Sequence, residues 1–338
     1  MDIMRRAPEW KEDSVSIASK TTPTTFASQG DLSERKETLA ELADGVFALT
    51  AEGDPNSGVV IGDDSVLVID ARATPIMAQE LVARIRAITD KPIRHILLTH
   101  YHAVRVLGVA GFPERVNIIA SDATRDMIAE RGAEDMASEI QRFPRLFRAR
   151  DSIPGLTWPT VTFKEEMSLW LGSREVRIIH AGRGHTRGDT IAWLPKERVL
   201  FAGDLVECGA TPYCGDAHFR DWPKTLDRLA GFQAKKLVPG RGEALVSPDA
   251  VRAGLEGTRA FLRDAFAIAE AGVKAGHDLR TVYAEAIRQM RPKYGHWVIF
   301  DHCMPFDISR AYDEARGIDK PRIWTAERDL EMWRALEG

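Results

Sequence analysis

Between Ser65 and His100 the chain reads strand, helix, strand, and this stretch limits the possible folds more than any other. "SVLVID" is a short apolar run closed by an aspartate. "PIMAQELVARIRAI", Pro75 to Ile88, carries apolar residues at helical spacing and starts on proline, which suits a first helical turn. "PIRHILLTH" is a further strand. His100 and His102 then fall just past its C-terminal edge, where α/β proteins place ligand chemistry.

The flanking sequence extends this pattern. "VFALTA" and "SGVVIG" precede "SVLVID" as short strands with turn residues between them. "VNIIAS" is a strand, a helix follows from Asp122, and "EDMASEIQRFPRLFRAR" is a helical insert. "VTFKEEMSLWLG" and "REVRIIHAG" are strands. The turn "GRGHTRGD" follows, then the strands "TIAWLP" and "RVLFAGD", a helix "DWPKTLDRLAGF" and the turn "VPGRG". Two β-rich halves with helices between them fit four layers, two sheets inside and helices outside, better than a doubly wound sheet. The expected class is α/β (α+β): an N-terminal arm over 1–44, a sandwich domain over 45–245 and a helical C-terminal extension over 246–338. Appended helices and arm are compatible with a homodimer.

Composition narrows the function classes. A chain of 338 residues with 44% hydrophobic content can bury a sizeable core. A formal net charge of −4, with basic and acidic residues intermixed, gives no nucleic-acid footprint. No apolar run has the roughly 18–20 residues of a membrane helix, and the N-terminus lacks the apolar core of an export signal. The three cysteines form no even disulfide framework and fit a reducing cytoplasm, the expected location.

The chemistry concentrates in four residues. His100 and His102 form an HxH pair, and neutral imidazoles suit zinc. His185 sits in a turn with Gly182, Gly184 and Gly188. Asp204 ends the apolar run "VLFAGD", where a carboxylate is costly unless it binds an ion or accepts hydrogen bonds.

In order, HxH, GHTxGD, an apolar strand ending in GD and a VPGxG turn, the chain resembles the metallo-β-lactamase fold superfamily over about residues 45–245. The resemblance implies an αββα sandwich. The family's usual motif runs HxHxDH, but Val104 and Arg105 stand at its last two positions, and Arg241 replaces the histidine of the family's PGHG turn. In the family's dinuclear sites these three positions serve the second metal. The first-metal set, His100, His102 and His185, is complete, and Asp204, which bridges the metals in the family, is kept.

The expectation is therefore a mononuclear site with one zinc per chain, iron or manganese being less expected. Its ligands are His100, His102, His185 and Asp204. Arg105 and Arg241 are expected at the vacated position, paired with Asp204, because a guanidinium is permanently cationic and can grip a carboxylate with two N–H groups. The implied activity is a hydrolase in which zinc-bound hydroxide, formed because the bound water's pKa drops to about 7, attacks a small ester, lactone, amide or thioester. An activated carbon bearing a leaving group is a related target. Asp204 would orient the water, and Arg105 and Arg241 would stabilise an oxyanion or hold an anionic substrate. The alternative is a non-catalytic binding protein with an arginine-lined anion pocket. Asp70, after "SVLVI", and Asp189, after the histidine turn, are expected to support the metal loops. Beyond the recognisable domain, "YGHWVIFDHCMPFD" offers Asp301 and His302, either as substrate contacts or as the polar rim of a helical appendage.

Overall fold

The computed structural model describes residues 26–113 and 115–337. Its first sheet contains β1 (Glu37–Ala43), β2 (Val46–Ala51), β3 (Ser57–Ile61), β4 (Val66–Ile69), β5 (Ile93–Leu97), β6 (Asn117–Ser121) and β7 (Val161–Phe163), in that spatial order. The second contains β8 (Glu166–Leu171), β9 (Arg174–His180), β10 (Thr190–Leu194), β11 (Val199–Gly203) and β12 (Lys236–Pro239), in the order 12-11-10-9-8. The helices are α1 (Pro75–Arg86), α2 (Ala103–Val106), α3 (Asp122–Arg142), α4 (Trp222–Gly231), α5 (Pro248–Lys274), α6 (Leu279–Tyr294), α7 (Phe300–Ala315) and α8 (Ala326–Glu337).

Side-chain alternation turns these elements into layers. In β4, Leu67 and Ile69 face the second sheet, while Val66 and Val68 pack towards α1 on Leu81 and Ile85. In β11, Val199 and Phe201 face the first sheet, while Leu200 and Ala202 face the outer helices. Strands with both faces buried are apolar throughout, as "VLVI" and "VLFAG" are. The result is αββα, as expected from the sequence. Helix starts follow local chemistry: the side chains of Thr74, Ser121, Ser247 and Asp278 each accept a backbone N–H from the first turn of the helix they precede.

Three expectations need correction. The arm ends earlier than residue 44: Glu37–Ala43 is the edge strand β1, antiparallel to β2, and Glu37 pairs with Arg72 and Arg84. Residues 1–25 lie outside the described residues. "VTFKEEMSLWLG" is two strands, not one, because the chain passes between sheets after Phe163. The C-terminal helices are also no separate body. Phe261, Phe300 and Phe306 share one core with Leu200 and Leu237 of the second sheet and with Trp222 of α4.

Each fully buried phenylalanine contributes about 1.5–3 kcal/mol. Ending the chain at residue 245 should therefore yield a product with no cooperative unfolding transition by circular dichroism. A sharp transition in such a product would show the extension to be an independent appendage.

Candidate metal centre

The turns past four strand ends converge on one point. His100 and His102 lie between β5 and α2, His185 in the β9–β10 turn, Asp204 directly after β11, and Arg241 two residues past β12. All are buried, the histidines to within 2% of complete burial. Among the described residues, His100, His102 and His185 are the one group of three His, Cys, Asp or Glu side chains whose donor atoms all lie within 4.8 Å of one another.

Each histidine is held from behind. His185 Nδ1 donates to the Tyr213 carbonyl at 2.8 Å, leaving Nε2 with its lone pair. His102 Nε2 meets the Asp216 carboxylate at 3.2 Å, leaving Nδ1 towards the cluster, 3.0 Å from His185 Nε2. His100 Nδ1 lies 3.0 Å from the Thr99 hydroxyl, which itself donates to Asp70, so Nε2 carries the lone pair. That buried Nε2 has no hydrogen-bond partner. An acceptor behind each ring fixes the tautomer a metal ligand needs. Donors of a tetrahedral zinc site stand about 3.3 Å apart, given bonds of about 2.0–2.1 Å. Asp204 Oδ2 is 3.7 Å from His100 Nε2 and 3.6 Å from His185 Nε2. The orphaned nitrogen and these spacings fit one divalent ion.

Burial pushes His185 down to about 3 and His100 well below the usual histidine range, keeping both neutral. Burial works the same way on His102, but Asp135, Asp216 and Glu139 outweigh it and hold the ring near 9.

Both expected arginines reach Asp204. Arg105 pairs with Oδ1 and donates to the carbonyls of Asn56 (2.6 Å) and Gly240 (2.8 Å). Arg241 donates to Oδ2 at 3.1 Å and to Glu207 at 3.3 Å. Gly240 permits this crowding, since a Cβ there would meet Asp204 Oδ1 at 2.3 Å. Burial raises the pKa of Asp204, but Arg105 above all, and Arg241 with it, bring it well below the usual carboxylate range. Only Arg241 of the pair lines the cavity beside the histidines, and Arg105 sits behind Asp204.

Asp70 accepts from the Thr99 amide and hydroxyl at 2.9 and 3.0 Å, which places it one step behind His100. Asp189 accepts from the Thr186 amide and hydroxyl, closing the turn that carries His185. His302 lines the cavity. Asp301 does not reach it: one residue earlier on α7 its side chain points out, is 57% exposed and pairs with Arg291. Adjacent helical residues diverge by about 100°, so only one of the two could face inward. The sequence reading missed Asp216, Glu207, Glu139 and Arg142. Asp216 and Glu207 lie in "ECGATPYCGDAH", where carboxylates inside a Gly- and aromatic-rich loop were the available signal.

Two substitutions test this arrangement. Arg105→Met leaves a buried carboxylate short of its main partner and should cost about 3–5 kcal/mol in chemical denaturation, whereas a loss under about 1 kcal/mol would indicate an ordinary surface pair. Asp216→Ala removes the acceptor behind His102 and should weaken zinc binding about 10–100-fold in chelator competition, and unchanged affinity would refute its orienting role.

The geometry agrees with what the chain is similar to. Residues 50–241, more than half of the chain, match the family model described as Metallo-beta-lactamase superfamily. A metallo-beta-lactamase type 2 from a Bacillus species is 24% identical over 57% of this chain and 68% of its own length. The alpha subunit of a 2,4-dinitroanisole O-demethylase from a Nocardioides species is 25% identical over 59% of this chain and 53% of its own length. The structure of a metallo-beta-lactamase from Pontibacter korlensis superposes with a TM-score of 0.55 at 20% identity, covering 68% of this chain and 99% of that one. By fold, by the family model and by its histidine cluster, the chain belongs to the metallo-beta-lactamase superfamily.

Proposed function

We propose that the protein is a metal-dependent hydrolase with a single zinc ion per active site, acting on a small ester, lactone, amide or thioester. The observation that supports this most is the contrast between the two halves of the family site. Three buried lone pairs converge with an acceptor behind every ring. At the other half, Arg105 and Arg241 hold the shared carboxylate, and Val104 offers no ligand.

A divalent ion held by His100, His102 and His185 would act as a Lewis acid and make water nucleophilic near neutral pH. Asp204, kept ionised by its two arginines, would accept a proton from that water through Oδ2, the oxygen nearest the histidines. Arg241 lines the cavity and would stabilise negative charge developing on the substrate. Arg105 has a different task from the one expected. It does not line the cavity beside the histidines, so it acts through Asp204, fixing its position and charge. The near-total burial of the histidines keeps bulk water out and strengthens each of these interactions.

The dinitroanisole demethylase relative supports a second substrate class, an activated ring carbon that loses a leaving group to the same nucleophile. It belongs in the same substrate screen.

Protein purified without added metal or chelator should carry about one zinc per chain by plasma mass spectrometry, and His102→Ala should lose it. Chelation should abolish turnover of an ester, thioester and nitroaryl ether panel, with zinc restoring it. Two metals per chain, or none, would overturn the mononuclear reading.

A further inference from the structure

Beside the histidine cluster lies a small cavity of about 20 Å³, with His102 and Asp204 in its wall. It has room for a water molecule or two. Val104, Phe143, Leu146 and Ile299 are its apolar lining. Its polar lining includes Arg142 and Glu139 from α3, Arg241 from the turn after β12, and His302 from α7. Arg142 and His302 come from the helical insert and the C-terminal extension, not from the elements that hold the metal ligands.

Arg142, Arg241 and His302 are buried donors short of acceptors. The Arg142 guanidinium packs against the neighbouring rings of Tyr213 and Phe306, 4.6 and 4.5 Å from their centres. Its Nη1 lies 3.2 Å from His302 Nε2. An arginine can only donate, so Nε2 accepts and the ring proton of His302 sits on Nδ1. That Nδ1 has no partner, although the residue is 95% buried at 5% exposure. Nε of Arg142 and Nε of Arg241 also lack acceptors. Among the neighbouring carboxylates, Glu139 accepts from the Val104 amide and stands 3.6 Å from Arg142, Asp329 accepts from Ser138 and stands 4.0 Å from Arg142, and Glu207 accepts from Arg241, yet none is a hydrogen-bond partner of His302 Nδ1 or of either arginine Nε. Three unpaired buried donors around one cavity are costly unless something brings acceptors to them.

We propose that this cavity is a recognition subsite for a carboxylate carried on a small apolar body, seated on Arg142, Arg241 and His302. The inference rests on the hydrolase reading for its orientation, with the reacting bond towards His102 and Asp204 and the carboxylate away from them. Substrates would then be small esters or amides that bear a second, free carboxylate. We place the entrance at Ile299, the one lining residue that is only half-buried. Ile299 holds φ 58 directly before α7, a conformation that β-branched residues rarely adopt. Displacing it would admit a ligand larger than the cavity.

The test is a titration of sodium benzoate, with neutral benzamide as control, into the full chain by calorimetry, metal-loaded and chelator-treated. His302→Phe keeps the aromatic packing on Phe143 and Phe306 but removes the Nδ1 donor, and His302→Gln restores a donor. Benzoate should bind at least 10-fold more tightly than benzamide, with or without metal. His302→Phe should lose that preference and His302→Gln should keep part of it. Three outcomes would each overturn the subsite: equal binding of the two probes, unchanged benzoate affinity in folded His302→Phe, or benzoate binding that disappears with the metal. Because benzoate is not hydrolysed and the subsite is read without metal, failure here leaves the metal count untouched, and a missing zinc leaves this result standing.

Discussion

The carboxylate of Asp204 is the interaction on which the rest of the site depends. It is 3% exposed, and Arg105 and Arg241 approach it from two sides and favour its charged form. Breaking such a buried pair costs far more than a surface pair contributes. The surrounding backbone is shaped to permit it. Gly240 leaves room for Oδ1, and the carbonyls of Asn56 and Gly240 absorb the remaining donors of Arg105. Charge and packing therefore constrain one another here, and the histidines inherit a fixed anion on one side.

The layered fold makes this convergence possible. β4 and β5 run parallel in one sheet, as do β11 and β12 in the other, so the turns beyond all four open on the same edge of the sandwich. Each turn delivers one part: Asp70, the HxH pair, Asp204 and Arg241. The third histidine comes from the tight β9–β10 turn, which Asp189 closes through Thr186. Helices α3 and α7 then cover this edge and supply Arg142 and His302, which turns an open edge into a cavity.

A site of this kind gains strength from burial and loses access by it. Low dielectric keeps His100 and His185 neutral and strengthens every charge contact. The same burial leaves little space beside the histidines, so binding and entry are separate problems in this protein. Ile299, the least buried residue of the cavity wall, belongs to the extension and not to the sandwich.

The sequence alone determined the sandwich, because alternating and doubly apolar strands with capped helices leave few other ways to bury their faces. It also pointed to the cluster of His100, His102 and His185, which could hold a metal ion, and to Val104, Arg105 and Arg241 at the family's other ligand positions, because these are residue types at fixed short spacings. It could show that Arg105 and Arg241 replace ligands, but not that one seals the site from behind while the other faces the cavity. That division depends on where β3, β11 and β12 bring Asn56, Asp204 and Gly240, all far from Arg105 in sequence. Nor could it choose between Asp301 and His302, which a helical turn of about 100° sends to opposite surroundings. The acceptor behind His102 comes from Asp216, 114 residues away, and the pairing of Arg142 with His302 spans 160 residues. Local spacing carries no information on contacts of that range, so only the packed tertiary structure could decide them.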